Sequence, residues 1–139
     1  MRVPALRRAA ASLAVAACVL PLAAAPAAAD SQPEGSGPDA FLALIIQPLE
    51  GSGGDHRFLT LECGPDGGTH PYPEFACDAL REVDGDFEAL PPLYDPCPPV
   101  IWPTRGTAVG HWNGRGVYHS VVAGDACSLS NSTGGVFPG

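Results

Sequence analysis

Cys63-Gly64-Pro65-Asp66-Gly67-Gly68-Thr69-His70-Pro71-Tyr72-Pro73-Glu74-Phe75-Ala76-Cys77 holds a turn, a helix start and two cysteines in fifteen residues. Gly64-Pro65-Asp66-Gly67-Gly68 is turn chemistry: glycine supplies positive φ, proline presets φ, and aspartate bonds to its own backbone. Pro73-Glu74 opens a helix. Proline fits the first turn, where its missing N–H is not needed, and glutamate favours the positive end of the helix dipole. Phe75, Ala76, Ala79, Leu80 and Val83 recur at helical spacing, and Gly85 marks the stop. Cys63 sits at a strand end and Cys77 in the first turns of the helix, so a bridge between them would pin helix to sheet. His70, between the turn glycines and Pro71, is expected to make a structural hydrogen bond.

Outward from this stretch, residues 57–63 read as a strand. Residues 41–46, Phe-Leu-Ala-Leu-Ile-Ile, form a short apolar run ending near Pro48, and its length and Gly/Pro flanks favour another strand. The turn-forming Gly51-Ser52-Gly53-Gly54-Asp55 joins the two closely enough to make them antiparallel. The run 41–46 does not alternate, and a strand apolar on both sides is covered on both faces. In so small a domain a helix supplies one cover and a partner chain can supply the other, which hints at a dimer. Downstream, 107–112 and 117–122 read as strands about Asn113-Gly114, the strongest short hairpin signal. Gly134-Gly135-Val136-Phe137 offers a last short strand. Strands interrupted by a single helix argue for an α+β fold with an antiparallel sheet.

The chain has 139 residues. Arg2, Arg7 and Arg8 precede the apolar run 9–22 and the small residues Ala27-Ala28-Ala29. This is the make-up of a secretory signal peptide over residues 1–29, cleaved after Ala29, and it implies export. The apolar run is too short for a comfortable membrane span. Residues 30–39, polar and rich in Gly, Ser and Pro, read as a flexible N-terminal arm. Residues 40–139 suffice for one small domain. The exported part carries all fifteen Asp and Glu against four arginines and no lysine, a formal charge of −11. That opposes binding to nucleic acid or anionic membrane, where cations must meet phosphates. It suits solubility outside the cell. Four cysteines remain there, Cys63, Cys77, Cys97 and Cys127. An even count in a short exported chain reads as two disulfides, with three pairings open.

Between the helix and the hairpin lies Asp95-Pro96-Cys97-Pro98-Pro99-Val100-Ile101-Trp102-Pro103, in which four of nine residues are proline. Proline fixes φ and biases the preceding residue toward extended backbone, so the segment reads as a stiff, extended loop. Cys97 can tether it to the body. A stiffened segment suits display to a partner, because little conformational entropy is left to lose on binding. The plainer reading is a Pro-rich connector. Trp102 could serve either role, whereas Trp112, inside a strand pattern, is expected in the core or an interface.

No catalytic residue, metal site or cofactor is expected, and the chain is not read as an enzyme. Asp78, Glu82, Asp84, Asp86 and Glu88 cluster near the helix end, but their spacing fits no EF-hand loop. They read as a solvated face. His56, His70, His111 and His119 form no HExxH pattern, and neither Cys-x-x-Cys nor Gly-x-Ser-x-Gly occurs. Asn131-Ser132-Thr133 matches the glycosylation acceptor pattern, which recurs by chance.

The stretch 63–77 has the form Cys-x-Pro-x-Gly-Gly-x-His-Pro-x-Pro-x-x-Ala-Cys, and in this it resembles the signature of the subtilisin inhibitor-like family. Leu80, Gly85-Asp86-Phe87, Leu90, Cys97, Pro103, Thr107, Gly110, Trp112, Gly114, Val117, Cys127 and Val136-Phe137 match in register. The resemblance thus spans nearly all of the exported chain. It implies a five-stranded antiparallel sheet with two helices, one of them short, and disulfides Cys63–Cys77 and Cys97–Cys127. It also implies a homodimer packed through the sheet face, export from an actinobacterium, and inhibition of extracellular serine proteases of the subtilisin type, sometimes trypsin-like ones.

By the same resemblance the inhibitory loop follows Cys97, and its reactive bond is Pro99–Val100. Pro96, Cys97 and Pro98 lie on the acyl side, Ile101 and Trp102 on the other. Such a loop acts as a preorganised substrate, adding main-chain hydrogen bonds to the enzyme cleft. The chain departs from the family at four positions. Pro99 stands where Met, Leu, Lys or Arg is usual, Trp102 replaces Asp, Ala123 replaces Phe, and Asp125 replaces Asn. Proline fills a deep pocket poorly, at about 1–3 kcal/mol per missing methylene. It also lacks the N–H that would satisfy an enzyme acceptor, at about 1–3 kcal/mol more. These departures predict altered or weak specificity. They also support an alternative, a non-inhibitory secreted binding module on the same fold with a metalloprotease or transglutaminase partner.

Overall fold

A computed structural model of the chain describes residues 37–49, 51 and 54–139. The expected signal peptide, most of the expected arm, and Ser52 and Gly53 of the expected turn lie outside the described residues. Strands β1 (Ala40–Pro48) and β2 (Arg57–Cys63) are followed by a two-residue strand β3 (Gly67–Gly68), helix α1 (Pro73–Glu82) and a 3-10 turn (Phe87–Ala89). Strands β4 (Thr104–Trp112) and β5 (Arg115–Ala123) and helix α2 (Ala126–Ser132) complete the chain. The sheet is antiparallel, in the order β3-β2-β1-β4-β5. Among the described residues no helix is long and apolar enough to cross a membrane.

β1 is the central strand, and its side chains do alternate in burial. Ala40, Leu42, Leu44 and Ile46 are buried, while Phe41, Ala43 and Ile45 are half-exposed. The single chain therefore supplies the helical cover on one face and leaves the other face without cover of its own. One face is sealed by α1, the 3-10 turn, α2 and the C-terminal tail, through Ala76, Cys77, Leu80, Phe87, Leu129 and Phe137. The register puts Phe41, Ala43 and Ile45 beside Phe58, Val109, Tyr118 and Val122 on the opposite face, where the latter four are exposed. Each fully buried Leu or Phe stabilises the sealed side by about 1.5–3 kcal/mol.

The stretch 63–77 welds this side together. The Thr69 and His70 amides both donate to the Thr60 carbonyl at 3.0 Å, and the Thr60 amide donates to Thr69 Oγ1 at 2.8 Å. Gly68 has φ +94°, and a Cβ there would run into the Thr60 carbonyl, so the second glycine of the pair is sterically required. His70 is buried, as its sequence setting predicts. Its Nδ1 accepts from the Tyr72 amide at 3.0 Å, which leaves Nε2–H to donate to the Val136 carbonyl at 3.0 Å. Burial holds the imidazole pKa below its ordinary value. Asp66 pairs with Arg81 of α1, and the Arg81 hydrogen bond is the main reason its carboxyl lies below the usual carboxylate range. The disulfide Cys63–Cys77, across 14 residues, joins β2 to α1.

α1 begins at Pro73, as the Pro-Glu pair predicts, and ends in a turn in which the Gly85 amide donates to the Leu80 carbonyl at 2.8 Å. Gly85 has φ +76°, and a Cβ there would collide with the Trp112 indole. Trp112 is buried, and its Nε1–H donates to Asp84 Oδ1 at 3.0 Å. Asn113 and Gly114 both have positive φ, as a two-residue hairpin between β4 and β5 requires.

Two expectations are corrected. The tail forms no strand; the fifth strand is Gly67–Gly68, within the stretch read as a turn. Gly134 and Gly135, at φ +58° and +81°, turn the chain back after α2, and the Gly135 amide donates to the Ser130 carbonyl at 2.8 Å. This drives Val136 and Phe137 into the core instead of along an edge. The Arg57 guanidinium donates to the Pro138 carbonyl and fastens the end.

Candidate functional site

Residues 91–103 cross from the 3-10 turn to β4 without regular structure, and six of these thirteen are proline. Prolines cannot donate main-chain hydrogen bonds, so the loop is held at a few points instead. The Leu93 amide donates to the Asn131 carbonyl at 2.8 Å. The Asn131 side-chain amide donates to the Asp95 carbonyl at 2.8 Å and lies 3.4 Å from Cys97 Sγ. The disulfide Cys97–Cys127, across 30 residues, follows. Beyond the tip, the Trp102 amide donates to the Gly124 carbonyl and the Leu49 amide to the Pro103 carbonyl, both at 2.8 Å. Thr104 Oγ1 caps the Trp102 carbonyl at 2.8 Å.

The free span is therefore Pro98-Pro99-Val100-Ile101, between Cys97 and Trp102. The proline content predicts an extended segment throughout, and this is corrected at the tip. The Val100 amide donates to the Pro98 carbonyl at 2.8 Å, closing a three-residue turn about Pro99. Pro98 and Pro99 are exposed at the tip and Val100 is half-buried. Ile101 and Tyr94 turn outward, with 83% and 90% of their surface exposed, and Trp102 is about half exposed. Pro96 is exposed and Cys97 partly buried. Large apolar side chains held outward on an anchored backbone are what a partner surface needs.

The anchors on both sides of the tip converge on the connection from β5 to α2. Gly124 holds the downstream arm; Cys127 and Asn131 hold the upstream arm. Asp125 starts α2, accepting from the Ser128 amide at 2.9 Å and from Ser128 Oγ at 2.8 Å. Those bonds hold its carboxyl below the usual carboxylate range. Neither Asn131 nor Gly124 follows from reading the residues as a loop and its tether. The available signal was Asp125 as a helix cap, because a helix starting at residue 126 puts Cys127 and Asn131, four apart, on one face.

The other candidate side chains stay apart from this loop. Asp78, Glu82, Asp84, Asp86 and Glu88 are all exposed, as expected of a solvated face, with Asp78 paired to Arg81 and Asp84 to Arg115. His119 stacks on Phe87 with ring centroids 5.0 Å apart. The cysteines nearest Asp66 and Asp125 are all in disulfides and offer no thiolate to a metal.

An antiparallel sheet sealed on one face, two disulfides and a proline-rich loop gripped on both sides define a small disulfide-stapled scaffold that displays a loop. The chain belongs to the subtilisin inhibitor-like family, whose model matches residues 40–125. It is 36% identical over 102 residues to subtilisin inhibitor-like protein 1 of Streptomyces cacaoi, covering 68% of this chain and 93% of that one. It is 45% identical over 83 residues to subtilisin inhibitor-like protein 5 of Streptomyces fradiae, covering 58% and 78%. Its fold is similar to that of Streptomyces caespitosus sermetstatin, solved in complex with Bacillus licheniformis subtilisin. There the TM-score is 0.54 and the identity 30%, over 72% of this chain and 98% of that one. The family match ends at Asp125, so α2, with Cys127 and Asn131, lies beyond it.

Proposed function

We propose that the chain is a secreted inhibitor of subtilisin-type serine proteases that offers Pro99–Val100 to the active site as a substrate-like bond. The observation that carries this reading is the grip on both sides of the tip by one connection, Gly124 to Asn131. If the bond is cut, only Pro98 and Pro99 extend beyond the disulfide, and only Val100 and Ile101 precede the Trp102 anchor. Each new end stays near its partner, so the reverse reaction competes with release and the enzyme remains occupied. Relatives named as subtilisin inhibitor-like proteins, and a structural neighbour solved on subtilisin, support the serine protease as partner.

Pro99 sets the specificity. Its ring suits a shallow primary pocket, and it has no N–H for the enzyme acceptor that other residues would satisfy. The fitting target is a proline-tolerant serine protease, with weaker inhibition of enzymes whose pockets are deep. Titration of the exported chain against a post-proline-cleaving serine endopeptidase, subtilisin and trypsin tests this. Tight, saturable inhibition of at least one is expected. No inhibition across the panel by the disulfide-intact chain overturns the inhibitor reading. It would favour the second reading, a non-inhibitory binding module, for which Pro99 is the supporting observation.

Two further properties belong to the same proposal. The exposed Phe58, Val109, Tyr118 and Val122 beside Phe41 and Ile45 support a homodimer joined through the open sheet face. Sedimentation equilibrium should return twice the chain mass, and Val109→Lys should return one. Export after cleavage at Ala29 predicts Asp30 as the first residue of protein from culture medium, readable by N-terminal sequencing.

A further inference from the structure

We propose that Asn131 is the positioning residue of the inhibitory loop, fixing from α2 the direction in which Pro98 and Pro99 leave the body. This rests on the inhibitor reading for its purpose but on separate observations for its geometry. The disulfide at Cys97 is a single point about which an exposed loop can swing. Asn131 adds points on the same arm. Its side-chain amide donates to the Asp95 carbonyl at 2.8 Å, and its own carbonyl accepts from the Leu93 amide at 2.8 Å. The amide is oriented by chemistry, since only its nitrogen can donate to a carbonyl oxygen. From Asp95 to Pro99 three of the following four residues are proline, so few soft dihedrals intervene. A direction set at Asp95 and Cys97 is thus transmitted to the Pro99 carbonyl carbon, the atom an attacking serine must meet.

Among the described residues, Asn131 is the N–H donor to the Asp95 carbonyl. Asp125, the buried polar residue two before Cys127, is spent on capping α2 through Ser128. It is held ionised, and a carboxylate can only accept. Cys127 and Asn131 lie one helical turn apart on α2, so the bridge and the amide reach the same arm together.

The test compares the exported chain with Asn131→Ala and Asn131→Asp, the second keeping the side-chain shape without the donor. Three quantities are read: the inhibition constant against subtilisin, the rate at which subtilisin cuts within residues 95–102 by mass spectrometry, and Tm. Loss of one hydrogen bond predicts about tenfold weaker inhibition and about tenfold faster cutting in both variants. Tm of Asn131→Ala should stay level or rise, because alanine is the better helix former. A merely structural residue would move Tm and not the loop. Unchanged inhibition and cutting in both variants overturn the proposal while leaving the inhibitor reading intact. A Tm fall in both variants that alone accounts for faster cutting also overturns it. If no form inhibits any protease of the panel but subtilisin cuts both variants about tenfold faster, the clamp stands and the inhibitor reading falls.

Discussion

Cys63–Cys77 and Cys97–Cys127 each tie an irregular stretch to a helix, and the two stretches end in opposite environments. In 63–77 the anchoring side chains turn inward: Cys63, His70, Ala76 and Cys77 are buried while Tyr72 and Phe75 stay exposed, and the backbone is bonded to β2 at several points. In 91–103 the side chains turn outward, with Tyr94, Ile101 and Trp102 exposed, and proline takes the place of most hydrogen bonds. The first stretch is held by buried anchors and by main-chain bonds to β2. The second is rigid without burial, through covalent rings, one disulfide and a few main-chain anchors. The second kind of rigidity leaves an exposed tip free to meet another protein, and under the proposed function the first bridge serves stability and the second recognition.

The largest effect expected is at the tip. Pro99→Met restores a long side chain and a main-chain N–H, which together are worth several kcal/mol in a deep-pocketed enzyme. Inhibition of subtilisin should tighten about a hundredfold or more. An unchanged inhibition constant would place the primary contact elsewhere and dissolve the contrast. Next come the bridges themselves. Closing loops of 14 and 30 residues is worth about 3–4 kcal/mol each in the chain-entropy model, so removing either pair should lower Tm. Replacing Cys97 and Cys127 together by serine should also let subtilisin cut the loop and abolish inhibition. Replacing Cys63 and Cys77 together by alanine should leave the folded fraction inhibitory. Equal losses of inhibition in both double variants would break the division of labour.

The smallest effect sharpens the comparison from the buried side. His70 is held neutral, with a pKa below the ordinary histidine value, so the unfolded chain takes up the proton first. The stability this contributes is complete above the ordinary value and is lost as pH falls from there toward the folded pKa. Thermal melts between about pH 7 and 5 should show Tm falling, and the slope should flatten in His70→Gln. Asp66 and Asp125, with lowered pKa values, add losses at lower pH, as carboxylates protonate. An identical slope in wild type and His70→Gln over the upper interval would remove His70 from the core's pH response.

Elements with strong local chemistry were legible in the sequence. The helix at Pro73, the Asn113-Gly114 hairpin, the buried Trp112 and the structural His70 each follow from one or two residues whose geometry admits few alternatives. The loop and its tether were legible from its prolines and Cys97. Other features depend on distant partners. α2 spans seven residues, too few for an apolar period to show. Val136 and Phe137 look like a strand locally, but two positive-φ glycines turn them inward. β3 is a strand only because Leu61 and Glu62 pair with its two glycines. The turn at Pro99 rests on a single main-chain hydrogen bond, and Asn131 meets Asp95 only after α2 has formed. The apolar run 41–46 announced two apolar faces, but a single chain covers only one.

The central claim is that Pro99–Val100 is the bond this chain offers to a protease. Prolonged incubation of the disulfide-intact chain with a protease it inhibits, followed by mass spectrometry under non-reducing and reducing conditions, tests it most directly. One slow cut is expected, between Pro99 and Val100, in a chain that stays joined through Cys97–Cys127, separates only on reduction and still inhibits. A first cut at any other bond, or immediate loss of inhibition once Pro99–Val100 is cut, would contradict it.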